Sequence, residues 1–208
     1  MFEQYQILPN FVVIEGIDGA GTTTQNRMLS ESLNHLAIPH VMTAEPTTGP
    51  IGQLIRSVLK ADHQLDPGTT AHLFAADRWE HLYGKDGIKY HCENGYWVIS
   101  DRYLFSSLAY QGLLTSPELV WELNNKFLLP EYLIFIDTPE QVGSQRRSQR
   151  KEKEIYETDD FQIKVANRYR KIFHQLSRNY SNLLILKGDE DPKELHKRIL
   201  EFLPIVSR

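Results

Sequence analysis

Apolar residues follow two rhythms along this chain. Short unbroken or nearly unbroken runs occur at residues 11–14, 39–43, 96–103, 132–139 and 182–188. Runs this short, rich in Val, Ile and aromatic residues, predict strands buried on both faces. Between them the apolar positions recur every three to four residues, which predicts amphipathic helices. Met28, Leu29, Leu33 and Leu36 mark one over residues 22–36, and Ile51, Leu54, Ile55 and Val58 mark the inward side of a short one over 51–60. A longer helix is expected over 69–90, with others from 106, over 117–128, 165–180 and 191–203, the last with Pro192 near its first turn. Residues 1–10 read as a lead-in, with Pro9-Asn10 as the turn into the first strand, and Leu129-Pro130 as the end of the helix before the fourth. Strands alternating with helices argue for an α/β fold with a parallel sheet.

In such sheets ligands sit outside the carboxyl ends of the strands. Charged or glycine-rich residues collect there: the glycine loop after residue 14, Glu45, Asp101-Arg102 and Asp137. Strand, glycine loop and helix, in the order FVVIEGIDGAGTTTQ, form an anion site, because backbone N–H groups and a helix N-terminus converge on one point. The phosphate-loop pattern GxxxxGK[ST] is met from Gly16 to Thr23, with Gly19, Ala20, Gly21 and Thr24 in or beside it, except that Thr22 stands in place of the lysine. Thr23 occupies the position whose hydroxyl ligates Mg²⁺ in that motif. Asp18 lies within the loop, where a carboxylate would be repelled by phosphate; it is expected to meet a second substrate or a base. The strand end VISDRY resembles the one that orders Mg²⁺ beside a phosphate loop, and Arg102 could grip a phosphate in fork geometry. Phe74 and Arg78, one helical turn apart, suit stacking on a base and bonding to it; a core Phe beside a snorkelling Arg is the plainer account. The charged stretch from Arg146 to Glu157 is either a solvated helix face or a lid carrying arginines to a migrating phosphate.

Length and composition narrow the setting. The 208 residues suffice for one domain with a single core. A formal charge of −4 gives no general attraction to nucleic acid or anionic membrane, and no apolar run reaches the roughly 20 residues of a spanning helix. The single cysteine, Cys92, excludes an internal disulfide and fits a reducing, cytoplasmic setting. No signal peptide is expected from the first ten residues.

The segments FVVIEGIDGAGTTTQ, TAEPTTG, LFAADRWEH, VISDRYLFSSLAYQG and FIDTPE, in this order, resemble the thymidylate kinase family over nearly the whole chain. The resemblance implies a three-layer P-loop kinase fold, a five-stranded parallel sheet flanked by helices, as one domain over 1–208 with a lid at about 143–158. It implies transfer of a phosphoryl group from ATP to dTMP with Mg²⁺, and a homodimer using the helix 73–82 and the region 104–114. Phe74 would stack on thymine, and Arg78, Ser107 and Gln111 would bond its edge. Arg102 and Arg56 would hold the acceptor phosphate, and Asp18 would meet the sugar hydroxyl or Arg102. Tyr110 and Tyr156 would wall the sugar, while Thr23, Glu45 and Asp101 would order the metal and its waters. Where some members carry a basic residue, this chain has Gly19, which resembles members whose lid supplies the arginine; Arg146, Arg147 and Arg150 are the candidates. The arginine of the family's TREP segment is Ala44 here, and the loop lysine is Thr22. Three readings stay open: an active dTMP kinase whose lid covers for the lysine, a nucleotide-holding relative with impaired chemistry, and a kinase of the same fold acting on another nucleotide such as dUMP.

Overall fold

A computed structural model describes residues 5–149 and 155–205. Five strands, β1 (Ile7–Gly16), β2 (His40–Ala44), β3 (Trp97–Asp101), β4 (Leu129–Asp137) and β5 (Leu183–Lys187), form one sheet in the order β2-β3-β1-β4-β5, and every pairing is parallel. Nine helices connect or follow them among the described residues: α1 (Thr22–His35), α2 (Pro50–Leu59), α3 (Pro67–Tyr83), α4 (Ile88–Glu93), α5 (Leu104–Leu114), α6 (Pro117–Asn124), α7 (Glu140–Ser148), α8 (Asp159–Leu176) and α9 (Pro192–Phe202). Helices α1 and α9 pack together over the sheet, and α5 packs with α3, α6 and α8 elsewhere on it, giving the expected helix–sheet–helix layering.

The strand bodies are the core. Phe11, Val12, Val13 and Ile14 in β1, Ile99 in β3, and Leu133, Ile134 and Ile136 in β4 are fully buried. Burial of β1 from both sides explains its uninterrupted apolar run. At its carboxyl end Ile14 lies level with Asp101, Ala44 pairs with Asp101, and Gly16 pairs with Ile136. The glycine loop, Glu45 and Asp101-Arg102 therefore emerge at one edge. Asp137 emerges there too, but it is engaged by Arg170 at 2.9 Å.

Four expectations need correcting. The first strand begins at Ile7, because Ile7 and Leu8 pair with Leu129 and Pro130; Pro9-Asn10 is an irregularity within it, with Asn10 at φ 60°, rather than a turn before it. For the same reason Leu129-Pro130 opens β4 instead of closing a helix. The single helix expected over 69–90 begins earlier, at Pro67, with the Asp66 carboxylate capping the N–H groups of Gly68 and Thr69, and it breaks at Gly84, with α4 restarting after Gly87. Finally, α2 turns Gly52, Ile55, Val58 and Leu59 inward and leaves Leu54 40% exposed. A side chain at Gly52 would lie 2.1 Å from the Thr47 carbonyl oxygen, so close approach to that backbone sets the rotation.

Candidate active site

The loop from Gly16 to Thr24 closes over the end of β1. Gly21 precedes α1 in the left-handed conformation (φ 96°), and no side chain caps the helix, so its first N–H groups face the loop cavity. Ile17, Asp18, Gly19, Gly21, Thr22, Thr23, Thr24, Asp101, Arg102 and Arg146 line that cavity. The Thr23 hydroxyl donates to Asp101 Oδ2 at 2.7 Å, while Asp101 Oδ1 is buried without a hydrogen-bond partner. Thr22 is only 6% exposed, with its methyl group turned toward Gly16.

The charge missing at Thr22 comes near from another element. Arg146, on α7, donates from Nη1 to the Gly19 carbonyl at 3.2 Å and to the Ala20 carbonyl at 3.4 Å, and it lines the loop cavity. Its neighbour Arg147 points elsewhere. Arg147 is 4% exposed and donates to the Asp18 carbonyl (2.8 Å) and to Asp159 (2.7 Å). The structure thus separates two arginines that are adjacent in sequence. Arg150 lies outside the described residues, as does part of the expected lid. Gly19 has a packing reason. It sits at φ 84°, and a Cβ there would lie 2.6 Å from the Gly143 carbonyl oxygen on α7. A basic side chain at position 19 would push away the helix that brings Arg146.

On the other side of Asp18 is a second cavity. Asp18, Glu45, Arg56, Phe74, Arg78, Arg102, Tyr110, Gln111 and Tyr156 line it, together with Pro46, Leu59, Tyr103 and Ser106. Asp18 and Arg102 stand where the two cavities meet, since both line each of them. Arg102 Nη2 donates to Asp18 Oδ1 at 2.7 Å, and the Arg102 guanidinium lies 5.3 Å from the Tyr110 ring centre. Asp18 Oδ2 accepts from Tyr110 (3.0 Å) and from the Gln162 amide (2.6 Å). Burial works against the charge on Arg102, but Tyr110 and Asp18 outweigh it and hold the group cationic. Arg102 takes a left-handed backbone, φ 71°, which strains any residue but glycine or a small polar one, at the end of β3.

The end of this cavity around Arg78 rests on a buried polar chain. Arg78 is 1% exposed; its Nε and Nη2 donate to Glu45 Oε2 (2.9 and 2.6 Å), Nη2 to Ser107 (3.1 Å) and Nη1 to Asn124. His81 Nδ1 approaches Glu45 Oε1 at 3.1 Å. Both Glu45 oxygens are therefore engaged on the α3 side, and Glu45 does not line the loop cavity with Thr23 and Asp101. Ser107 lies behind Arg78 and is not itself part of the cavity wall. Gln111 is 3% exposed, and its Oε1 finds no hydrogen-bond partner in the protein, as expected of an acceptor kept for a ligand. Phe74 and Tyr156 are half-buried at the rim. Arg56 is held by carbonyls of Thr47 (3.4 Å) and Pro46.

Several site residues carried no sequence signal. Glu15, fully buried at the end of β1, accepts the N–H groups of Tyr103 and Ser106 and the hydroxyls of Ser106 and Tyr169, and the two hydroxyls in turn meet Arg102. Burial raises its carboxyl to about 7, against the pull of Arg102 and these bonds. Gln162 is fully buried and grips Asp18 by both side chain and backbone. A further groove beside the loop is bounded by Gly21, Thr24, Gln25, Arg146 and residues of the turn between β5 and α9, including Gly188 and Glu190. Neither a buried Glu nor a single Gln on a charged helix announces its partners in advance; only the fold brings them together. Among the described residues no helix is long and apolar enough to cross a membrane, and no three His, Cys, Asp or Glu side chains group as a metal site.

The pattern of matches to known proteins agrees with this geometry. The sequence model described as "Thymidylate kinase" matches residues 14–199. A Treponema pallidum protein described as "Putative thymidylate kinase" is 42% identical over 200 residues, covering 95% of this chain and 96% of that protein. A Carboxydothermus hydrogenoformans protein described as "Thymidylate kinase" is 35% identical over 199 residues, covering 93% and 96%. With a phosphate loop, a strand-end Asp-Arg pair and a second cleft meeting it at Asp18, this chain is a nucleoside monophosphate kinase and belongs to the thymidylate kinase family.

Proposed function

We propose that the protein transfers the γ-phosphoryl group of ATP to dTMP, giving dTDP and ADP. The observation that carries this reading is the meeting of two cavities at Asp18 and Arg102, one lined by the phosphate loop and the other ending in an unpartnered Gln111 acceptor beside Arg78 and Phe74. The donor triphosphate lies along the loop N–H groups, with its base toward the groove by Gln25 and Gly188. Thymine stacks on Phe74, and its ring N–H meets Gln111 Oε1. Arg102 and Arg56 face the acceptor phosphate, and Tyr110 and Tyr156 flank the sugar near Asp18. The acceptor oxygen is already anionic, so the protein's work is to align two phosphates and to offset charge on the migrating group.

Thr23 and Asp101 fit a bound Mg²⁺: their oxygens lie together beside the loop, and Asp101 keeps one buried oxygen without a partner. Such an ion, held by Thr23 and Asp101, would supply positive charge against the phosphates. Glu45, committed to Arg78 and His81, supports the base side instead. Arg146 stands in for the absent lysine, and it supports the active reading over the impaired one. A homodimer through α3, whose Trp79 and Tyr83 side chains are exposed, is also part of this reading; α5 is nearly all buried within the chain and offers little to a partner. The test is dTDP formation from ATP and dTMP with Mg²⁺. Turnover in the ordinary kinase range of about 1–100 s⁻¹ supports the reading. Binding of both nucleotides without dTDP overturns it in favour of an impaired relative.

A further inference from the structure

Asp77 is a buried acidic residue on the inner face of α3 that lines neither the loop cavity nor the acceptor cavity. It is 3% exposed, and both of its oxygens are engaged by a single residue across the cleft. Thr47 donates its backbone N–H to Asp77 Oδ2 at 2.7 Å and its hydroxyl to Asp77 Oδ1 at 2.6 Å. Among the described residues no cation pairs with this carboxylate. A buried carboxylate answered by one neighbour fixes that neighbour firmly, because losing either bond leaves a desolvated charge short of a donor.

What Thr47 carries is the seat of Arg56. The Thr47 carbonyl accepts from Arg56 Nε at 3.4 Å, and the Pro46 carbonyl accepts from Nη2. Two of the five guanidinium N–H bonds are thereby used, and the remaining three meet no described residue while Arg56 lines the acceptor cavity. The turn is gripped from the far side as well, since Gly52 packs directly on the Thr47 carbonyl. One position on from Asp77, Arg78 takes the Glu45 carboxylate, and His81 one turn later takes its other oxygen. Positions 74, 77, 78 and 81 share one helical face. The same face of α3 thus meets the base through Phe74 and Arg78 and sets the segment 45–47 that aims Arg56.

We propose that Asp77 is a positioning residue for the acceptor phosphate, holding Thr47 so that the Pro46 and Thr47 carbonyls point Arg56 at that phosphate. The inference rests on the reading of this cavity as a nucleoside monophosphate site and adds a residue to it that touches no ligand. Affinities for dTMP and for thymidine, which lacks the phosphate, separate the two claims. In the wild type dTMP binds tighter than thymidine; absence of that difference overturns the cavity reading and this inference with it. In Asp77→Ala, dTMP affinity falls about 10-fold or more while thymidine affinity and the KM for ATP stay within about 2-fold, a loss of the size expected for misplacing one charged hydrogen-bonding group. Asp77→Asn, which keeps an acceptor for the Thr47 N–H and an amide for its hydroxyl, recovers most of the loss. In an Arg56→Ala background, Asp77→Ala costs little more, because the two act in series. Equal losses for dTMP and thymidine, or full additivity with Arg56→Ala, overturn the inference and leave Asp77 a purely structural residue. Should Asp77→Ala fail to fold, Thr47→Val removes one of the two bonds at nearly constant shape; a rise in KM for dTMP alone supports the inference, and an unchanged KM overturns it.

Discussion

On the acceptor side of Asp18, the groups that would touch a nucleotide are fixed by one another. Arg102 is held by Asp18, Ser106 and Tyr169, and Asp18 by Tyr110 and Gln162. Arg78 is held by Glu45, Ser107 and Asn124. On the donor side the loop presents mostly backbone, Thr22 is turned inward, and the nearby cation arrives on α7 through bonds to two loop carbonyls. One half of the site is preorganised by side chains from several elements; the other depends on how a single helix lies against the loop. Chemistry placed by a network tolerates little change at any node, whereas chemistry placed by one helix can in principle be supplied from another position.

The sharpest way to break this comparison is at the shared boundary. Arg102→Ala removes the donor proposed for the acceptor phosphate and strips Asp18 of its ion-pair partner in the same stroke, and kcat/KM is expected to fall by about 10³-fold or more in a dTDP-formation assay. A loss under about 10-fold would place Arg102 outside the chemistry.

The next contrast lies between two neighbours. Arg146→Ala is expected to lower kcat by roughly 10²–10³-fold with little change in melting temperature, since its bonds to the Gly19 and Ala20 carbonyls are long, at 3.2 and 3.4 Å, and its charge faces the cavity. Arg147→Ala is expected to do the reverse. It strips the buried bond to the Asp18 carbonyl at a cost of about 1–2 kcal/mol, while Asp159 remains solvated; the melting temperature drops roughly 2–4 °C for each kcal/mol and kcat changes little. Similar behaviour in both variants would mean that α7 acts as a unit and that the separation seen in the structure has no functional meaning.

Restoring the motif sharpens the same point with a smaller effect. Thr22→Lys alone is expected to change kcat less than about 3-fold, because Arg146 already supplies a cation at the loop, yet in the Arg146→Ala background it should recover about 10-fold or more, as one preorganised donor for another. If Thr22→Lys raises the wild-type rate as strongly as it raises the variant, Arg146 is not the replacement.

The sequence made the donor loop and the β3 end legible because their chemistry is local: glycines, a threonine and an Asp-Arg pair at fixed spacing need only the strand–helix context. The acceptor side was legible only where a motif supplied it. Nothing about Glu15 or Gln162 in isolation indicates that donors from residues 103, 106 and 169, or a carboxylate from residue 18, will converge on them. Helix boundaries failed for a related reason. Periodicity continues across Gly84 and Gly87, and only the packing of α3 and α4 shows the break; the face of α2 is set by the Thr47 backbone at Gly52, which no side-chain pattern reports.

Glu15 offers the smallest and most specific test. Its carboxyl is raised in the folded protein to about 7 from an ordinary 4.5, because burial outweighs Arg102 and four hydrogen bonds. Below pH 4.5 both folded and unfolded chains hold the proton and nothing is lost. Between the two values the unfolded chain gives up its proton and the folded chain keeps it, so stability declines as pH rises and the decline is complete above about 7. Each tenfold difference in proton affinity between the two chains is worth about 1.4 kcal/mol, so the whole decline amounts to roughly 3 kcal/mol. Glu15→Gln removes the titration. Its stability, measured by urea unfolding from pH 5 to pH 8, should therefore fall less with rising pH than that of the wild type, even if the amide satisfies fewer of the four donors and starts lower. Parallel curves would mean that the four donors and Arg102 keep Glu15 ionised at all these pH values, and the acceptor network would then be anchored by a permanent buried charge.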